Sequence, residues 1–520
     1  MSGEPVGGAG LGRWARAARW GGWHALVAVA GGALYLAFPP HGLWWTAIPA
    51  FAALWTALRG VRARRAFGLG LTFGLAFFLP HLLWLNDFLG REYGVGPWLL
   101  LCAVMGLYSA AACAFVPLVS RLPAAPVWGA LLFVLQETLR GLAPFNGFPW
   151  GRVAFGQVDG PFLALAALGG APLVSFAVVV TGFGLASFAT APRRLGHAWV
   201  VVPLVAALAT APLVGTAAQE GERKIAVIQG NAPDIGLGLL YARDTLRANH
   251  LGAAAELADR VRSGELPKPD LVVWPESSVS VGADDLGVDL AVRELGVPNL
   301  VGAVRRVDGK QQNAIVDWDP VEGPGEVYAK QELVPFAEHI PVRDLARIIT
   351  PFADTPDMDA GGEPGLFDVA GTRIGLGICY ELAYDYVLRE SAAQGAQLIV
   401  APTNNAWYGP GEMTYQQLGM ARLRAVEHGR AVVVAAISGV SAVVRPDGTV
   451  AESTGMFTED LMVADVPLRS SVTVATRIGG VLGGLFTIAA LGAIAAGAWL
   501  ARRERGAAAV ERVDEPVPTP

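Results

Sequence analysis

Three reactive side chains stand at or near the ends of apolar runs, and together they could carry out acyl transfer through a thiol. Glu276 follows the apolar run 271–274 and a proline, Lys330 lies in a polar stretch between apolar residues, and Cys379 ends a glycine-containing apolar run. A thiol nucleophile needs a base that removes its proton and a cation or amide that stabilises the developing oxyanion. Glu276, Lys330 and Cys379 supply one of each.

Each of these residues, taken alone, has an ordinary structural explanation. A glutamate beside a proline is usually part of a surface turn, a loop lysine is usually solvated, and a single cysteine in a strand is usually an inert buried side chain. A free thiol has a pKa of about 8.5 and is mostly protonated at neutral pH, so Cys379 needs activation. A neighbouring lysine would favour the thiolate and Glu276 could accept the proton, provided that the fold brings the three segments together.

The elements that must position these residues lie between 224 and 470, where short β-branched runs alternate with helical patterns. The short runs are predicted strands of a buried sheet, at 224–229, 271–274, 299–304, 314–318, 373–379, 397–401 and 431–437. Helices that cover the sheet faces are predicted by helical periodicity at 241–263, 284–296, 383–394 and 412–428. The pattern predicts a layered α/β domain.

Composition and motifs exclude several classes of function. No glycine-rich phosphate-binding loop opens a helix, and no spaced cluster of Cys and His residues predicts a metal site. The net charge is −6 without a basic tract, which argues against nucleic-acid binding. Three cysteines cannot build a disulfide framework. The predicted chemistry requires no cofactor, so none is expected.

Long apolar runs predict that much of the chain lies in a membrane. Of 520 residues, 53% are hydrophobic and only 16% are charged. A hydrocarbon core of about 30 Å takes roughly 20 helical residues to cross, and apolar runs occur at about 22–38, 42–58, 67–86, 97–119, 125–141, 161–189, 197–216 and 476–500. We predict a membrane domain of about seven spans over 1–218 and a catalytic domain over 219–475. A transmembrane helix over 476–500 and a disordered cytoplasmic tail over 501–520 follow.

The positions of the arginines predict the orientation, because short loops rich in Lys and Arg stay in the cytoplasm. Alternate connections carry most of them: Arg13, Arg16, Arg19, Arg59, Arg62, Arg64, Arg65, Arg121, Arg193, Arg194, Arg502, Arg503 and Arg505. The opposite loops contain only Arg91, Arg140 and Arg152. We therefore expect 219–475 to lie outside the cytoplasm and the C-terminus to lie inside.

At these residues the chain resembles the nitrilase, or carbon-nitrogen hydrolase, superfamily, whose Glu-Lys-Cys triad matches Glu276, Lys330 and Cys379 in order and local setting. With its membrane flanks, nearly the whole chain resembles the apolipoprotein N-acyltransferase family of bacterial envelopes. Supporting matches are Gly147-Phe148-Pro149-Trp150, Leu333-Val334-Pro335-Phe336, Cys379-Tyr380-Glu381, Asn405-Ala406-Trp407-Tyr408-Gly409, and Met420-Ala421-Arg422 with Arg424-Ala425-Val426-Glu427. The resemblance implies a multi-pass protein of the bacterial inner membrane with an extracytoplasmic αββα sandwich.

The resemblance further implies a two-step reaction. Cys379 takes a fatty acyl group from a phospholipid and passes it to the α-amine of the diacylglyceryl cysteine that begins an apolipoprotein. By the same resemblance, Glu276 is the general base, Lys330 stabilises the oxyanion, and Glu338 orients the lysine or shares its charge. Tyr380 and Glu381 match positions beside the nucleophile, where they either contact substrate or shape the turn.

Four further residues are candidates for substrate binding: Trp407, Glu137, Arg140 and Trp150. The two tryptophans lie in the matched motifs. The two ionisable residues close the fifth predicted span, and charged groups at membrane depth are functional candidates. They could contact a lipid headgroup, or instead form an intramolecular ion pair or extend to the membrane interface.

Five positions depart from the usual family pattern: Glu332, Ala337, His339, Asn405 and Ser438. They bear on acceptor and acyl-chain preference more than on the thioester chemistry. Two other functions remain open from the residues alone. A membrane-tethered amidase or nitrilase would use the same triad and resolve the acyl-enzyme with water. A scaffold or transporter is disfavoured by the intact triad and by the few charges inside the spans.

Overall fold

The computed structural model describes residues 8–188, 193–282, 285–349 and 351–513. A helical region comes first, an α/β domain with two sheets follows, and a long helix ends the described chain. The helices of the first region are α1 to α8, at Gly8–Tyr35, Ala47–Leu58, Ala63–His81, Leu85–Tyr93, Gly96–Val119, Ala125–Arg140, Ala166–Ser187 and Arg193–Thr210. Every predicted span of this region coincides with a helix, and α4 forms in the connection between the third and fourth spans.

The predicted number of about eight spans is not confirmed by helix length and composition. Within the described residues, three helices are long and apolar enough to cross a membrane, at Gly96–Val119, Pro161–Ser187 and Val474–Ala507. Two shorter apolar helices occur at Trp44–Leu58 and His197–Leu213. The helix α2 has 12 residues, which at about 1.5 Å per residue reaches only about 18 Å. Apolar composition therefore predicted more spans than length and hydropathy together identify among the described residues.

Close packing of the helical region depends on small residues. A Cβ atom added at Gly70 of α3 would lie 2.6 Å from Cβ of Cys113 on α5. A Cβ atom added at Gly31 of α1 would lie 2.4 Å from the backbone oxygen of Phe73 on α3. Glycine at these positions lets the helix backbones approach each other, as in many membrane helix pairs.

A seven-stranded sheet and a six-stranded sheet form the centre of the α/β domain. The first has the order β13-β1-β2-β4-β5-β6 with β3 paired to β4, and the second has the order β12-β11-β10-β9-β8-β7. The strands β1 to β13 are Glu222–Gln229, Leu271–Val273, Val279–Val281, Asn299–Val307, Lys310–Asp319, Gly323–Ala329, Leu366–Val369, Thr372–Leu376, Leu398–Thr403, Val432–Ala436, Ala442–Val444, Val450–Ser453 and Asp460–Pro467. The central strands of each sheet run parallel. All predicted strands are present, and the additional ones pair mainly at the sheet edges.

Helices cover the outer face of each sheet. The helices α9 to α13 are Arg243–Arg262, Leu286–Leu295, Arg343–Ile349, Asp385–Ala393 and Met413–His428. One core lies between the sheets, and a second lies between the first sheet and α9 and α10. The third core joins the second sheet, α12 and α13 to the helical region. The predicted αββα sandwich is confirmed, and its second helical layer is shared with the helical region.

The last helix, α14, runs from Val474 to Val513. The prediction of a disordered tail over 501–520 is therefore wrong for residues 501–513, which continue the helix. Their Ala, Arg and Glu residues have high helix propensity and extend a helix that is already nucleated. Residues 514–520 lie outside the described part of the chain.

Candidate active site

The three predicted catalytic residues follow β2, β6 and β8, and the fold brings them together. Glu276 comes after Trp274 and Pro275, where the strand stops because proline donates no backbone hydrogen bond. The turn lies so close to β4 that a Cβ atom added at Gly302 would sit 1.9 Å from the backbone oxygen of Pro275. Lys330 directly follows β6, and its backbone N–H donates to Asn313 O at 2.9 Å.

Lys330 lies between two carboxylates in a buried pocket. Its Nζ donates to Glu276 Oε1 at 2.9 Å and lies 3.0 Å from Glu338 Oε2. The Lys330 side chain is 1% exposed and that of Glu276 is 5% exposed. Burial alone would lower the pKa of Lys330, but the charges of Glu276 and Glu338 outweigh it and hold the pKa well above its usual value. The lysine is therefore a fixed cation.

Asn313 and the backbone of Asn404 hold the two carboxylates in place. Asn313 Nδ2 donates to Glu276 Oε1 and to Glu338 Oε1, each at 2.6 Å. The Asn404 N–H donates to Glu276 Oε2 at 2.7 Å, and the Val334 N–H donates to Glu338 Oε2 at 2.9 Å. Each carboxylate thus keeps one orientation towards Lys330.

Cys379 occupies a strained turn directly after the second sheet's β8. Its φ is +52°, in the left-handed region that L-residues rarely adopt. Gln417 Nε2 lies 3.4 Å from Sγ, and Gln417 Oε1 accepts from Thr403 Oγ1 at 2.8 Å. Such a conformation persists only when its surroundings fix it, so the thiol is held at a defined position in the pocket.

The thiol of Cys379 is protonated in the resting site. Burial and then the charge of Glu276 raise its pKa to about 12, against the opposing effect of Lys330. The two carboxylates and one ammonium carry a net charge of −1, so the site does not favour a free thiolate. Lys330 does lower the pKa of Cys379, in the direction that the sequence analysis expected, but burial and Glu276 outweigh it. A base must therefore take the proton as the thiol attacks, the role expected of Glu276.

Glu381 ties the nucleophile turn to the lysine loop. It is completely buried and accepts hydrogen bonds from the backbone N–H groups of Ile378 at 2.6 Å and Gln331 at 2.7 Å. Tyr328 OH donates to it at 2.9 Å. Burial raises the pKa of Glu381 to about 7, although the backbone donors and Lys330 oppose that shift. These contacts fit the interpretation that Glu381 shapes the turn.

Tyr380 connects the nucleophile turn to the helical region. Its OH donates to Gly147 O at 3.1 Å, and its ring stacks on Phe148 with centroids 6.1 Å apart. Tyr384, in the same turn region, donates to Asn146 O at 3.0 Å. The segment after α6 therefore packs directly on the turn that carries Cys379.

Three of the four substrate-binding candidates are buried and bonded to protein partners. Arg140 Nη1 donates to Trp150 O at 2.6 Å, and Glu137 Oε1 accepts from the Val153 N–H at 2.8 Å. Trp150 Nε1 donates to Gln416 Oε1 at 2.7 Å. Glu137 and Arg140 are thus held by backbone groups, and Glu137 Oε2 also lies 3.9 Å from Arg152 Nε. Trp150 lies in the interface between the helical region and the α/β domain.

Trp407 lies beside the helical region and is half-buried. Its ring centroid is 5.9 Å from that of Phe88 on α4. Burial raises the pKa of the next residue, Tyr408, and the negative charge that Cys379 would carry as a thiolate raises it further. Charges of the triad therefore act on Tyr408, to which the sequence analysis gave no role at the site.

Sequence reasoning missed Asn313, Asn404, Gln417 and Tyr408. Asn313 gave one signal, since it is a polar residue immediately before the apolar part of β5. Three of the residues that depart from the family pattern make contacts within the protein: Tyr386 OH donates to Glu332, Asn405 Nδ2 donates to Thr414 Oγ1 at 2.8 Å, and Ser438 Oγ donates to Asn231 Oδ1 at 2.8 Å. Within the described residues, no group of three or more His, Cys, Asp and Glu side chains could hold a metal ion.

Comparisons with known proteins identify two family models along the chain. Residues 30–184 match the apolipoprotein N-acyltransferase N-terminal domain, and residues 224–475 match the carbon-nitrogen hydrolase domain. An apolipoprotein N-acyltransferase of Mycolicibacterium smegmatis is 36% identical over 499 residues, which cover 89% of this chain and 83% of that protein. One from Azotobacter vinelandii is 30% identical over 494 residues, covering 89% and 92%. The crystal structure of Saccharomyces cerevisiae Nit3, of the nitrilase superfamily, aligns with 48% of this chain and 93% of its own at 18% identity and a TM-score of 0.36.

Proposed function

Because the chain belongs to the apolipoprotein N-acyltransferase family, we propose that it transfers a fatty acyl group from a phospholipid to the N-terminal α-amine of the diacylglyceryl cysteine of apolipoproteins. It is an acyltransferase of lipoprotein maturation. The observation that carries the mechanism is the buried cluster of Glu276, Lys330 and Glu338 around a protonated Cys379.

In the first step, Cys379 Sγ attacks the carbonyl carbon of a phospholipid ester. Glu276 takes the thiol proton as the C–S bond forms, and the Lys330 ammonium stabilises the negative charge on the carbonyl oxygen. The tetrahedral intermediate collapses with cleavage of the ester C–O bond, and Glu276 returns the proton to the leaving lysophospholipid oxygen. An acyl thioester on Cys379 and a lysophospholipid result.

In the second step, the α-amine of the acceptor attacks the thioester carbonyl. Glu276 takes a proton from the amine nitrogen, Lys330 again stabilises the oxyanion, and the C–S bond breaks. Cys379 leaves and regains its proton from Glu276, which restores the starting site. The two half-reactions use the same base and the same cation, as expected for a ping-pong mechanism.

We also propose that this is a multi-pass protein of the bacterial inner membrane with about eight spans, for which the candidate helices are α1, α2, α3, α5, α6, α7, α8 and α14. Each predicted span overlaps a helix, which supports the number of spans. The arginines lie on alternate connections, which supports the orientation. The catalytic domain, over 219–475, then lies outside the cytoplasm between the spans of 1–218 and the span over 476–500. A site at the outer membrane surface can receive an acyl chain laterally from the bilayer, a route that a soluble amide substrate would not need.

The test follows both acyl species by mass spectrometry. Purified protein is incubated with phospholipid and a diacylglyceryl lipopeptide, and the Cys379 peptide and the lipopeptide are analysed over time. We expect a fatty acyl thioester on Cys379 that disappears as the lipopeptide gains an N-linked acyl chain. A thioester that yields only free fatty acid in the presence of the lipopeptide would instead make the protein a hydrolase.

A further inference from the structure

A cleft of about 350 Å³ lies beside the first sheet, and none of the triad residues lines it. Three arginines form much of its wall: Arg243 is the first residue of α9, and Arg305 and Arg306 lie near the end of β4. Ser280 of β3 and Gln311 of β5 add polar groups. We call this site the arginine cleft.

The arginine cleft carries positive charge that the described residues do not neutralise. None of its three arginine side chains forms an ion pair or a hydrogen bond with another described residue, whereas Asp285 close by is already held by Arg247 at 2.7 and 2.8 Å. The helix α9 also begins in the cleft; its N-cap, Ala242, makes no side-chain cap, and Asp244 is the one acidic residue of its first turn. Free N–H groups and the helix dipole favour an anion at such an end.

The arginine cleft lies at the side of the domain that meets the helical region. The parallel strands β1, β2 and β4 end on this side, and β4 continues past Glu276 to the arginines. The short helix Gly236–Tyr241, just before Arg243, approaches α4, because a Cβ atom added at Gly236 would lie 3.2 Å from Phe88 O. Tyr241 itself is 90% exposed. Exposed tyrosines are enriched at membrane–water interfaces.

We propose that the arginine cleft binds the phosphate of a phospholipid headgroup at the outer surface of the membrane. Guanidinium groups match phosphate oxygens in bidentate, charge-assisted pairs, and three of them suit one phosphate better than a carboxylate. The volume of the cleft leaves room for the glycerol or headgroup alcohol beside the phosphate. This inference rests on the proposed placement of the domain at the membrane and adds a lipid site outside the catalytic pocket.

The experiment measures binding of water-soluble dihexanoyl phosphatidylglycerol to the full chain in uncharged detergent by isothermal titration calorimetry. All proteins carry Cys379→Ala, so that the lipid is not consumed. The test variant is Arg305→Gln with Arg306→Gln. The matched control, Arg260→Gln with Arg262→Gln, removes the same charge at the other end of α9, where both arginines pair with surface carboxylates.

We expect the test variant to raise Kd by about tenfold or more, because hydrogen bonds between charged groups are lost, and the control to leave Kd unchanged. Equal Kd values for the test variant and the parent, or equal losses in test and control, would overturn the proposal. If inorganic phosphate displaces the lipid at a similar concentration, the ligand of the cleft is free phosphate, and the proposal of a lipid site is overturned. Lack of displacement at a hundredfold excess would support the lipid.

Acylation of a lipopeptide by the same chain with Cys379 intact separates this proposal from the proposed function. A chain that binds the lipid through Arg305 and Arg306 but transfers no acyl group would reject the acyltransferase mechanism and still support the arginine cleft. A chain that transfers acyl groups while the test variant binds lipid normally would reject the cleft alone.

Discussion

Replacing Lys330 by methionine removes the ammonium of the catalytic cluster and keeps most of the side-chain volume. Nζ lies 2.9 Å from Glu276 and 3.0 Å from Glu338 in a pocket where the lysine is 1% exposed. In such a buried site, removing one oxyanion-stabilising group lowers the rate by roughly 10²–10³-fold, which corresponds to about 2.7–4 kcal/mol. We expect acylation of Cys379 to slow by this factor. Affinity for the phospholipid should change by less than about twofold, because the full negative charge develops only in the transition state.

The same substitution leaves Glu276 and Glu338 facing each other without a cation. Removing one partner of a buried ion pair costs roughly 3–5 kcal/mol, and proton uptake by a carboxylate relieves part of it. Thermal unfolding is therefore measured before activity. The double variant Lys330→Met with Glu338→Gln keeps the cluster charge at −1. We expect it to recover stability without recovering the acylation rate, which separates folding from chemistry.

The assay is time-resolved mass spectrometry of the Cys379 peptide after mixing with phospholipid, with donor binding measured in parallel. Lys310→Met is the matched control, since Lys310 is 66% exposed and pairs with Asp359 at 3.0 Å on the surface. An exposed pair of this kind contributes about 0–1 kcal/mol, so the control should acylate normally. Equal losses of rate and donor affinity in Lys330→Met would make Lys330 a binding residue. An unchanged rate would refute its role at the oxyanion.

Three further outcomes are expected. Cys379→Ser should abolish turnover with an unchanged thermal unfolding temperature; retained turnover in the folded variant would remove the nucleophile assignment. The pKa of Glu381 is raised by burial from 4.5 to about 7, so the folded chain holds this proton more tightly than the unfolded chain. Its stabilising contribution is present below pH 4.5 and is lost as pH rises through 7. The free energy of unfolding should therefore fall more steeply across this window in the wild type than in Glu381→Gln, and equal slopes in denaturant titrations would contradict the buried-carboxyl interpretation. Lys310→Cys should react with a membrane-impermeant thiol reagent in intact spheroplasts, and labelling only after membrane rupture would reverse the proposed topology.

The cluster that Glu276 and Lys330 form near Cys379 could be predicted because residue type and order along the chain carried the signal. Glu276, Lys330 and Cys379 each interrupt an apolar run with a reactive group, and their combination specifies one kind of chemistry. Their supporting residues carried much less signal. Asn313 reaches both carboxylates because β4 and β5 pair with Val304 opposite Asn313, and Gln417 reaches Cys379 from α13. Strand register and helix placement depend on the folded core, so one sequence does not specify these contacts.

The helices show what apolar composition alone could not predict, namely where each helix begins and ends. Apolar composition located seven of the eight helices of the first region, all except α4, but helix length depends on where turns and caps fall. The helix α2 begins only after a short 3₁₀ turn at Trp44–Thr46, which uses residues that the apolar count gave to the span. At the other end, low hydrophobicity predicted disorder after residue 500, whereas α14 continues to Val513. Residues 501–513 are helical because their helix propensity is high and they extend a helix that has already formed.

A protonated nucleophile suits a site that must run two half-reactions with one base. The resting cluster carries one negative charge, shared between Glu276 and Glu338 on either side of Lys330. When the thiol proton moves to Glu276, the negative charge moves to the substrate oxygen beside Lys330, and the total charge of the pocket does not change. A stored thiolate would add a second buried negative charge before substrate arrives, at a desolvation cost of several kcal/mol. The pKa of Cys379 is raised first by burial and then by the same carboxylate that activates it. Glu276 is ready again when the amine arrives.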